Sequence, residues 1–331
     1  MNDVMTLRFL AAPTDVSDDG VTVQAGSVLE WIDKAGYACA VGYSGSDCVT
    51  AYVGNVHFTR PIESGDLIEV TARVVHTGRT SMQVVVTVDA ADVRRRIFTP
   101  AMDCILVFVA MDEKGRPRAV PQFEPADAEA VRLAAGTAER IAARAEIRDA
   151  MRAQEYTDAG TLPRETFRFL AAPTDANWAG NAHGGTVMRW IDNVARACAM
   201  GWCGADAVAV YSGGIHFMAP IHIGDVVELQ ARLIHTGPHS MHIAVHVRAR
   251  DPREASWRET TRCMSVFVTR DSAGRAAPVP QAELRSEEDI RLDQHAVDLI
   301  DRRARLAPIR FADRRHPRPE PGDEPDGSSR S

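Results

Sequence analysis

Long apolar runs are missing from this sequence. No segment approaches the ~18 uninterrupted apolar residues that a membrane-spanning helix needs. The first residues, MNDVMTLRFLAAP, lack the basic start and apolar core of a secretion signal. We therefore expect a cytoplasmic protein without a signal peptide and without a membrane partner.

An excess of positive charge is also missing. The 331 residues include 38 Lys and Arg against 45 Asp and Glu, which gives a formal net charge of −7. Non-specific binding to nucleic acid requires a basic field, so we do not expect nucleic acid as a partner. A small anionic ligand stays possible, because it needs only a few local basic groups.

Cysteine spacing excludes a further class of site. The six cysteines form neither a CxxC pair nor a Cys/His cluster with the spacing of a zinc site. Cys39, Cys104, Cys198 and Cys263 lie within apolar strings, where a thiol behaves as a small hydrophobe. We expect reduced core cysteines and no metal ion.

The sequence does contain a long internal repeat. LRFLAAPTD at 7–15 returns as FRFLAAPTD at 167–175, and EWIDKAGYACAVG at 30–42 returns as RWIDNVARACAMG at 189–201. The offset between the copies is 159 from Asp33 and Asp192 onward but 160 at Thr14 and Thr174, so the loop between these positions differs by one residue. A repeat of roughly 120 residues is a duplicated domain rather than a solenoid unit.

Each copy has the pattern of an α+β domain with one long helix and about five strands. In the first copy the strands are predicted at 7–11, 53–58, 67–75, 82–88 and 104–111, and the helix at about 27–40. We divide the chain into domain 1 (1–124), a linker helix (125–160), domain 2 (161–285), a C-terminal helix (286–311) and a tail (312–331). Ser286, with Asp289 three residues on, predicts the start of the C-terminal helix. The tail is rich in proline and charge, and we expect it to be disordered.

A polar stripe runs along the predicted helix of the first copy. Glu30, Asp33, Lys34 and Tyr37 fall at positions i, i+3, i+4 and i+7. Periodicity alone favours a solvent-exposed charge at Asp33. A functional role competes with this interpretation, because of the four stripe positions only the aspartate is shared with the second copy, as Asp192.

The loop before the second helix, DANWAGNAHGG at 175–185, is more specific. Gly184 and Gly185 leave the first N–H groups of the helix open, and these groups favour a developing negative oxygen. An oxyanion donor of this kind is worth about 2.7–4 kcal/mol to an acyl-transfer barrier. The alternative is that the glycines only permit a tight turn and close packing. The first copy reads QAG at 24–26 where the second reads HGG.

The segment PTDANWAGNAHGGTVMRWIDNVA resembles the motif of the hotdog-fold acyl-CoA thioesterases. HFMAPIHIGD and HTGPHSM resemble the strand and turn that follow it in that family. The tandem order with a linking helix is similar to the cytosolic acyl-CoA hydrolase family, over about residues 5–285. The resemblance implies two tandem hotdog domains, each a long central helix wrapped by an antiparallel sheet, that pair within the chain.

The same resemblance implies hydrolysis of an acyl-CoA to free fatty acid and CoA, with no metal or cofactor beyond the CoA of the substrate. It also implies a homo-oligomer, by analogy a homotrimer. In this family a site combines the Asn/His-Gly-Gly loop of one domain with the helix carboxylate of the other. Carried over to this chain, the catalytic set is Asp33, Asn177, His183, Gly184 and Gly185.

The reverse combination is incomplete. It pairs Asp192 with Ser17 in place of Asn177 and with QAG in place of HGG, so we expect a vestigial second site.

Candidate substrate-binding residues are Arg60, Arg79, Ser81, Ser240 and Asn181. Asn181 belongs to the catalytic loop. The turns HTGRTSM and HTGPHSM, which hold Arg79, Ser81 and Ser240, resemble family segments near the nucleotide. Arginine suits phosphate geometry, although ordinary hairpin turns and surface arginines are an equal alternative.

The resemblance implies that Asp33 acts as a general base on water, or as a nucleophile through an anhydride. Asn177 would orient the water or the carbonyl, and the N–H of Gly184 or Gly185 would stabilise the oxyanion. Two other functions stay open. A hotdog enoyl-CoA hydratase or dehydratase would need an aspartate in the loop where NAHGG has glycine. A non-catalytic acyl-CoA-binding regulatory protein would need both sites to have decayed.

Overall fold

The computed structural model describes residues 3–305 of the chain. The helices are α1 (Ala25–Ser44), α2 (Ala128–Ala135), α3 (Thr137–Arg152), α4 (Gly184–Cys203) and α5 (Glu287–Ala304). The strands of the first copy are β1 (Val4–Leu10), β2 (Cys48–Val53), β3 (Val56–His57), β4 (Asp66–Thr77), β5 (Ser81–Asp92) and β6 (Thr99–Ala110). Those of the second are β7 (Arg164–Leu170), β8 (Val208–Phe217), β9 (Val226–Gly237), β10 (Ser240–Arg250), β11 (Arg258–Arg270) and β12 (Ala276–Ala277).

One antiparallel sheet runs through both copies. Its order is β1-β4-β5-β6-β2-β8-β11-β10-β9-β7, with β3 paired to β8 and β12 to β11. The two halves meet where Tyr52 of β2 pairs with His216 of β8, and Val53 with Ile215. The predicted α+β class and the pairing of two tandem domains within one chain are confirmed.

The helices α1 and α4 pack against each other and against the sheet. Ile32 and Phe108 of the first copy, and their equivalents Ile191 and Phe267, are almost completely buried in the shared core. Each such side chain contributes about 1.5–3 kcal/mol through burial. The six cysteines, all within the described residues, are free thiols.

Glycines set the distance at which α1 and α4 cross. A Cβ atom on Gly185 would lie 2.8 Å from the Cα of Glu30, and one on Gly26 would lie 2.9 Å from the Cα of Arg189. A backbone atom cannot move aside as a side chain can, so both positions require glycine. The first turn of each helix therefore lies directly against the other helix.

The predicted linker helix is divided in two. Gly136 separates α2 from α3, and Asp127 caps α2 by accepting the N–H of Ala130. The strand predicted at 53–58 is likewise interrupted between β2 and β3. The capping box at Ser286 and Asp289 is confirmed. The predicted C-terminal helix is present as α5 up to Ala304, and its predicted end at 306–311 and the tail at 312–331 lie outside the described residues.

The start of α5 is joined to the segment that follows α3. Glu288 accepts the N–H of Thr157 at 2.6 Å and that of Gly160 at 2.7 Å, and its carboxylate lies 2.9 Å from Nη1 of Arg232. Glu288 is buried, so these bonds replace the water that its charge would otherwise require. Among residues 3–305 no helix is long and apolar enough to cross a membrane.

Candidate active site

The loop 175–185 ends at the first turn of α4. His183 is the N-cap residue of this helix, and its Nδ1 accepts the N–H of Gly185 at 3.1 Å. Earlier in the loop, Asn177 Oδ1 accepts the N–H groups of Ala179 at 2.9 Å and Asn181 at 3.1 Å. The side chains of His183 and Asn177 thus fix the loop that precedes the helix.

Asp33 of α1 lies at the same place, so the two copies build one cluster. Its Oδ2 accepts the N–H of Gly185 at 2.7 Å, and its Oδ1 accepts the hydroxyl of Thr50 at 2.7 Å. The Nδ1 atom of His183 is 3.1 Å from Oδ2. Asp33 is only 1% exposed, so its interpretation as a solvent-exposed charge is wrong.

Burial determines the acidity of this carboxyl. Desolvation raises the pKa of Asp33 above its ordinary value, and the neighbouring His183, Thr50 and Gly185 offset part of that rise. A carboxylate with a raised pKa holds a proton more strongly near neutral pH than an exposed aspartate does. That property suits a general base.

The reverse combination keeps only part of this arrangement. Asp192 of α4 is also buried, and its Oδ2 accepts the N–H of Gly26 at 2.9 Å. Ala209 stands at the position equivalent to Thr50, and Gln24 replaces His183 without a side-chain cap bond. Burial raises the pKa of Asp192 to about 6. The helix amide is thus retained here, while the hydroxyl and the imidazole are lost.

Thr50 is the residue of this cluster that sequence reasoning missed. It lies on β2, and the repeat offers one signal, because Thr50 is polar where Ala209 of the other copy is apolar. Two aromatic residues were also missed. Trp178 of the loop is 78% exposed and stacks on Tyr37 of α1, with 5.1 Å between ring centroids.

The structure places Arg60 away from Asp33. It lines the cavity beside Asp192. Asn181 is hydrogen-bonded through its Oδ1 to Nδ1 of His222 at 2.8 Å, which joins the loop 175–185 to the turn between β8 and β9. A role of Arg60 and Asn181 in substrate binding therefore stays a prediction.

The two turns predicted near the nucleotide are hairpin turns in the structure. The N–H of Gly78 bonds the carbonyl of Ser81 at 2.8 Å, and the carbonyl of Arg79 accepts the N–H of Val120 at 3.1 Å. Ser240 Oγ lies 3.4 Å from Nε2 of His242. None of Arg79, Ser81 and Ser240 is hydrogen-bonded to the Asp33 cluster within the described residues, so their contact with substrate also stays a prediction.

Comparison with known proteins gives the same pattern twice along the chain. The family described as "Thioesterase superfamily" matches residues 22–96 and again residues 179–256. The chain belongs to the thioesterase superfamily. The two matches correspond to the two copies, so the predicted relationship to tandem hotdog thioesterases is confirmed.

Sequences similar to this thioesterase-superfamily chain align with most of its length. It is 27% identical to acyl-coenzyme A thioesterase 11 of Mus musculus, over 77% of this chain and 45% of that protein. It is 26% identical to the cytosolic acyl coenzyme A thioester hydrolase of Homo sapiens, over 84% of this chain and 77% of that protein. The chain thus spans less than half the length of the first relative.

A solved structure agrees on the fold. The structure of a putative oleoyl thioesterase from Lactobacillus plantarum superposes with a TM-score of 0.55 at 10% identity, over 80% of this chain and 96% of that one. At this identity the likeness concerns the fold alone, and it supports the tandem hotdog architecture. Among the described residues, no group of three or more His, Cys, Asp or Glu side chains is arranged to hold a metal ion.

Proposed function

We propose that this chain hydrolyses acyl-CoA thioesters to a free carboxylic acid and CoA, at the site formed by Asp33 and the loop 175–185. The observation that carries this proposal is a buried carboxylate that Thr50 and Gly185 hold beside His183 at the first turn of α4. The names of the relatives, which refer to hydrolysis of acyl-CoA, support this class of substrate.

Asp33 acts in this proposal as a general base that takes a proton from water. The water attacks the thioester carbonyl, and the tetrahedral intermediate then expels the CoA thiolate, which is protonated. Direct attack by the carboxylate through an anhydride is the alternative role. General base catalysis of this kind contributes typically about 10²–10⁴-fold to the rate.

The N–H of Gly184 is the oxyanion donor in this proposal. The N–H of Gly185 is already bonded to Asp33 and His183. Within the described residues the N–H of Gly184 has no acceptor, and it belongs to the first residue of α4. The geometry therefore favours Gly184 over Gly185, two donors that the sequence leaves equivalent.

Asn177 orients the water or the carbonyl through its NH₂ group. Its Oδ1 already accepts two loop N–H groups, so the amide nitrogen is the part of the side chain left to donate. The proposed reaction uses no metal and no cofactor beyond the CoA of the substrate. We further propose a cytoplasmic protein that forms a homo-oligomer, as a homotrimer.

A pair of matched variants tests the site. Release of free thiol from a panel of acyl-CoAs is measured with Ellman's reagent for Asp33→Asn and for Asp192→Asn. Both changes are isosteric and affect equivalent positions of the two copies. We expect loss of turnover in the first and retention of most activity in the second, because only Asp33 has the Thr50 hydroxyl and the His183 imidazole beside it.

The outcomes separate the competing functions. If the two variants exchanged phenotypes, the active site would lie at Asp192. Loss of enoyl absorbance from an enoyl-CoA without release of thiol would identify a hydratase. Binding of acyl-CoA with neither reaction would identify a non-catalytic protein.

A further inference from the structure

The reverse combination contains a cavity of ≈ 70 Å³ beside Asp192. Three arginines contribute to its lining: Arg60, Arg196 and Arg270. Most of its remaining wall is apolar and includes Val28, Phe58, Ile62, Met102 and Phe267. The cavity thus combines a small apolar interior with three guanidinium groups and one carboxyl.

The arginines are specific to this copy of the site. The copies are related by an offset of 159 residues. By this offset Arg196 corresponds to Tyr37, Arg60 to Ala219 and Arg270 to Met111. None of these three equivalents is charged. One of them, Tyr37, lies beside the catalytic loop, with 6.5 Å between its ring and that of His183. The two copies therefore differ by three positive charges at matching positions.

Two of these three arginine side chains have no partner among the described residues. Arg196 is engaged by Asp18 at 3.1 Å, by Asp206 at 3.7 Å and by the carbonyl of Ala207 at 3.2 Å. Arg60 and Arg270 are exposed, and their side chains have neither an ion pair nor a hydrogen bond within the described part of the chain. They are free to pair with a ligand.

Hydrolysis is not expected in this cavity. Ala209 and Gln24 replace Thr50 and His183, so Asp192 has the helix amide of Gly26 as its hydrogen-bond partner. This site therefore has a cavity and positive charge, but it lacks the hydroxyl and the imidazole that contact Asp33 in the other site. A binding role fits these features better than a second catalytic role.

We propose that this cavity binds a free carboxylate with a short apolar chain, the chemical class of product that the proposed hydrolysis releases. At the proposed catalytic site the substrate is cleaved at a neutral thioester, and the positions equivalent to the three arginines are uncharged. Arginines at these positions of the other site favour a ligand that carries a negative charge of its own. A carboxylate meets this requirement, because guanidinium groups bind carboxylates through paired hydrogen bonds.

The size of the cavity sets a limit on the ligand. The cavity is small, ≈ 70 Å³, so a short acid fits it more closely than the whole of CoA does. The inference rests on the proposed function for the source of the carboxylate. The existence of the site does not depend on it.

Calorimetric titration of the full chain with hexanoate tests the proposal. All proteins in the experiment carry Asp33→Asn, so that hydrolysis plays no part. The double variant Arg60→Ala, Arg270→Met installs the residues found at the equivalent positions of the other copy. We expect it to weaken hexanoate binding by about tenfold or more. Arg118→Met, which removes an exposed arginine outside the cavity, is expected to leave binding unchanged.

Two results would overturn the proposal: no binding of hexanoate, or binding that the double variant leaves unchanged while its thermal unfolding matches that of its parent. Titration with CoA provides the competing arm. If CoA binding depended on Arg60 and Arg270 and hexanoate binding did not, the arginines would serve phosphates instead. Thiol release by the unmodified chain is measured separately. Its absence, together with arginine-dependent binding of hexanoate, would remove the proposed function and leave the carboxylate site.

Discussion

Replacing Thr50 by alanine changes the environment of Asp33 and little else. The substitution is compatible with the fold, because Ala209 occupies the equivalent position of the other copy. It removes the 2.7 Å hydrogen bond from the hydroxyl to Oδ1 of Asp33. A hydrogen bond to a charged group is worth about 1.5–3 kcal/mol, and this one stabilises the ionised carboxylate.

The lost bond raises the pKa of Asp33 further above its ordinary value. At acidic pH, where the ionised fraction of Asp33 limits the rate, kcat/KM should fall by about 10- to 100-fold. At alkaline pH, where Asp33 is ionised in both proteins, the difference should narrow. The assay is a pH profile of kcat/KM for Thr50→Ala, with Thr50→Ser as the control that keeps the hydroxyl. A decrease by the same factor at every pH would refute the reasoning, because Thr50 would then not act through the ionisation of Asp33.

Three further predictions concern stability. Asp192→Asn should stabilise the fold increasingly as the pH rises from about 4 to about 7, by up to about 3 kcal/mol. The folded-state pKa of Asp192 is raised from 3.8 to about 6, so the native protein loses stability as this buried carboxyl ionises. Urea unfolding of both proteins at several pH values measures the difference, and a constant difference would contradict the linkage. Gly185→Ala should destabilise by about 1–3 kcal/mol, since its Cβ would lie 2.8 Å from the Cα of Glu30. Gly201→Ala in the same helix should be neutral or stabilising, because the nearest atom to its Cβ would be 3.9 Å away. Equal thermal shifts in these two glycine variants would count against the crossing argument. Glu288→Ala should destabilise by about 3–5 kcal/mol in chemical unfolding, because it leaves a buried arginine without its carboxylate. An effect below about 1 kcal/mol, as is usual for exposed ion pairs, would show that α5 is held mainly by apolar contacts.

The duplication and the element order could be predicted from the sequence, because periodicity and turn residues are local signals. The pairing of Asp33 with the loop of the other copy rested on the resemblance to a known family. Thr50 could not be found in this way. It lies 17 positions from Asp33 on a strand, and only the packing of sheet against helix brings them together. The interruption of the linker at Gly136 was missed for another reason, since a single glycine is tolerated in many helices.

Arg60 shows the same limit in a different form. The sequence places it near a turn, but it cannot say which of two equivalent sites that turn approaches. The pairing of β2 with β8 and the crossing of α1 with α4 decide this question. In the structure they bring Arg60 to the cavity of Asp192 and leave Asp33 without an arginine at the matching position.

The aspartate shared by both copies has a structural explanation that does not require two active sites. Each carboxylate accepts the N–H of a glycine in the first turn of the opposite helix, Asp33 from Gly185 and Asp192 from Gly26. Replacing Asp192 by a side chain without an acceptor would leave the N–H of Gly26 without its partner, at a cost of about 1–3 kcal/mol, and the same change at Asp33 would leave the N–H of Gly185 only Nδ1 of His183. The helix crossing therefore favours an acceptor at both aspartate positions and glycine at both partner positions. His183 and Thr50 are free of that requirement and differ from their equivalents Gln24 and Ala209, so they are the better indicators of which site performs the chemistry.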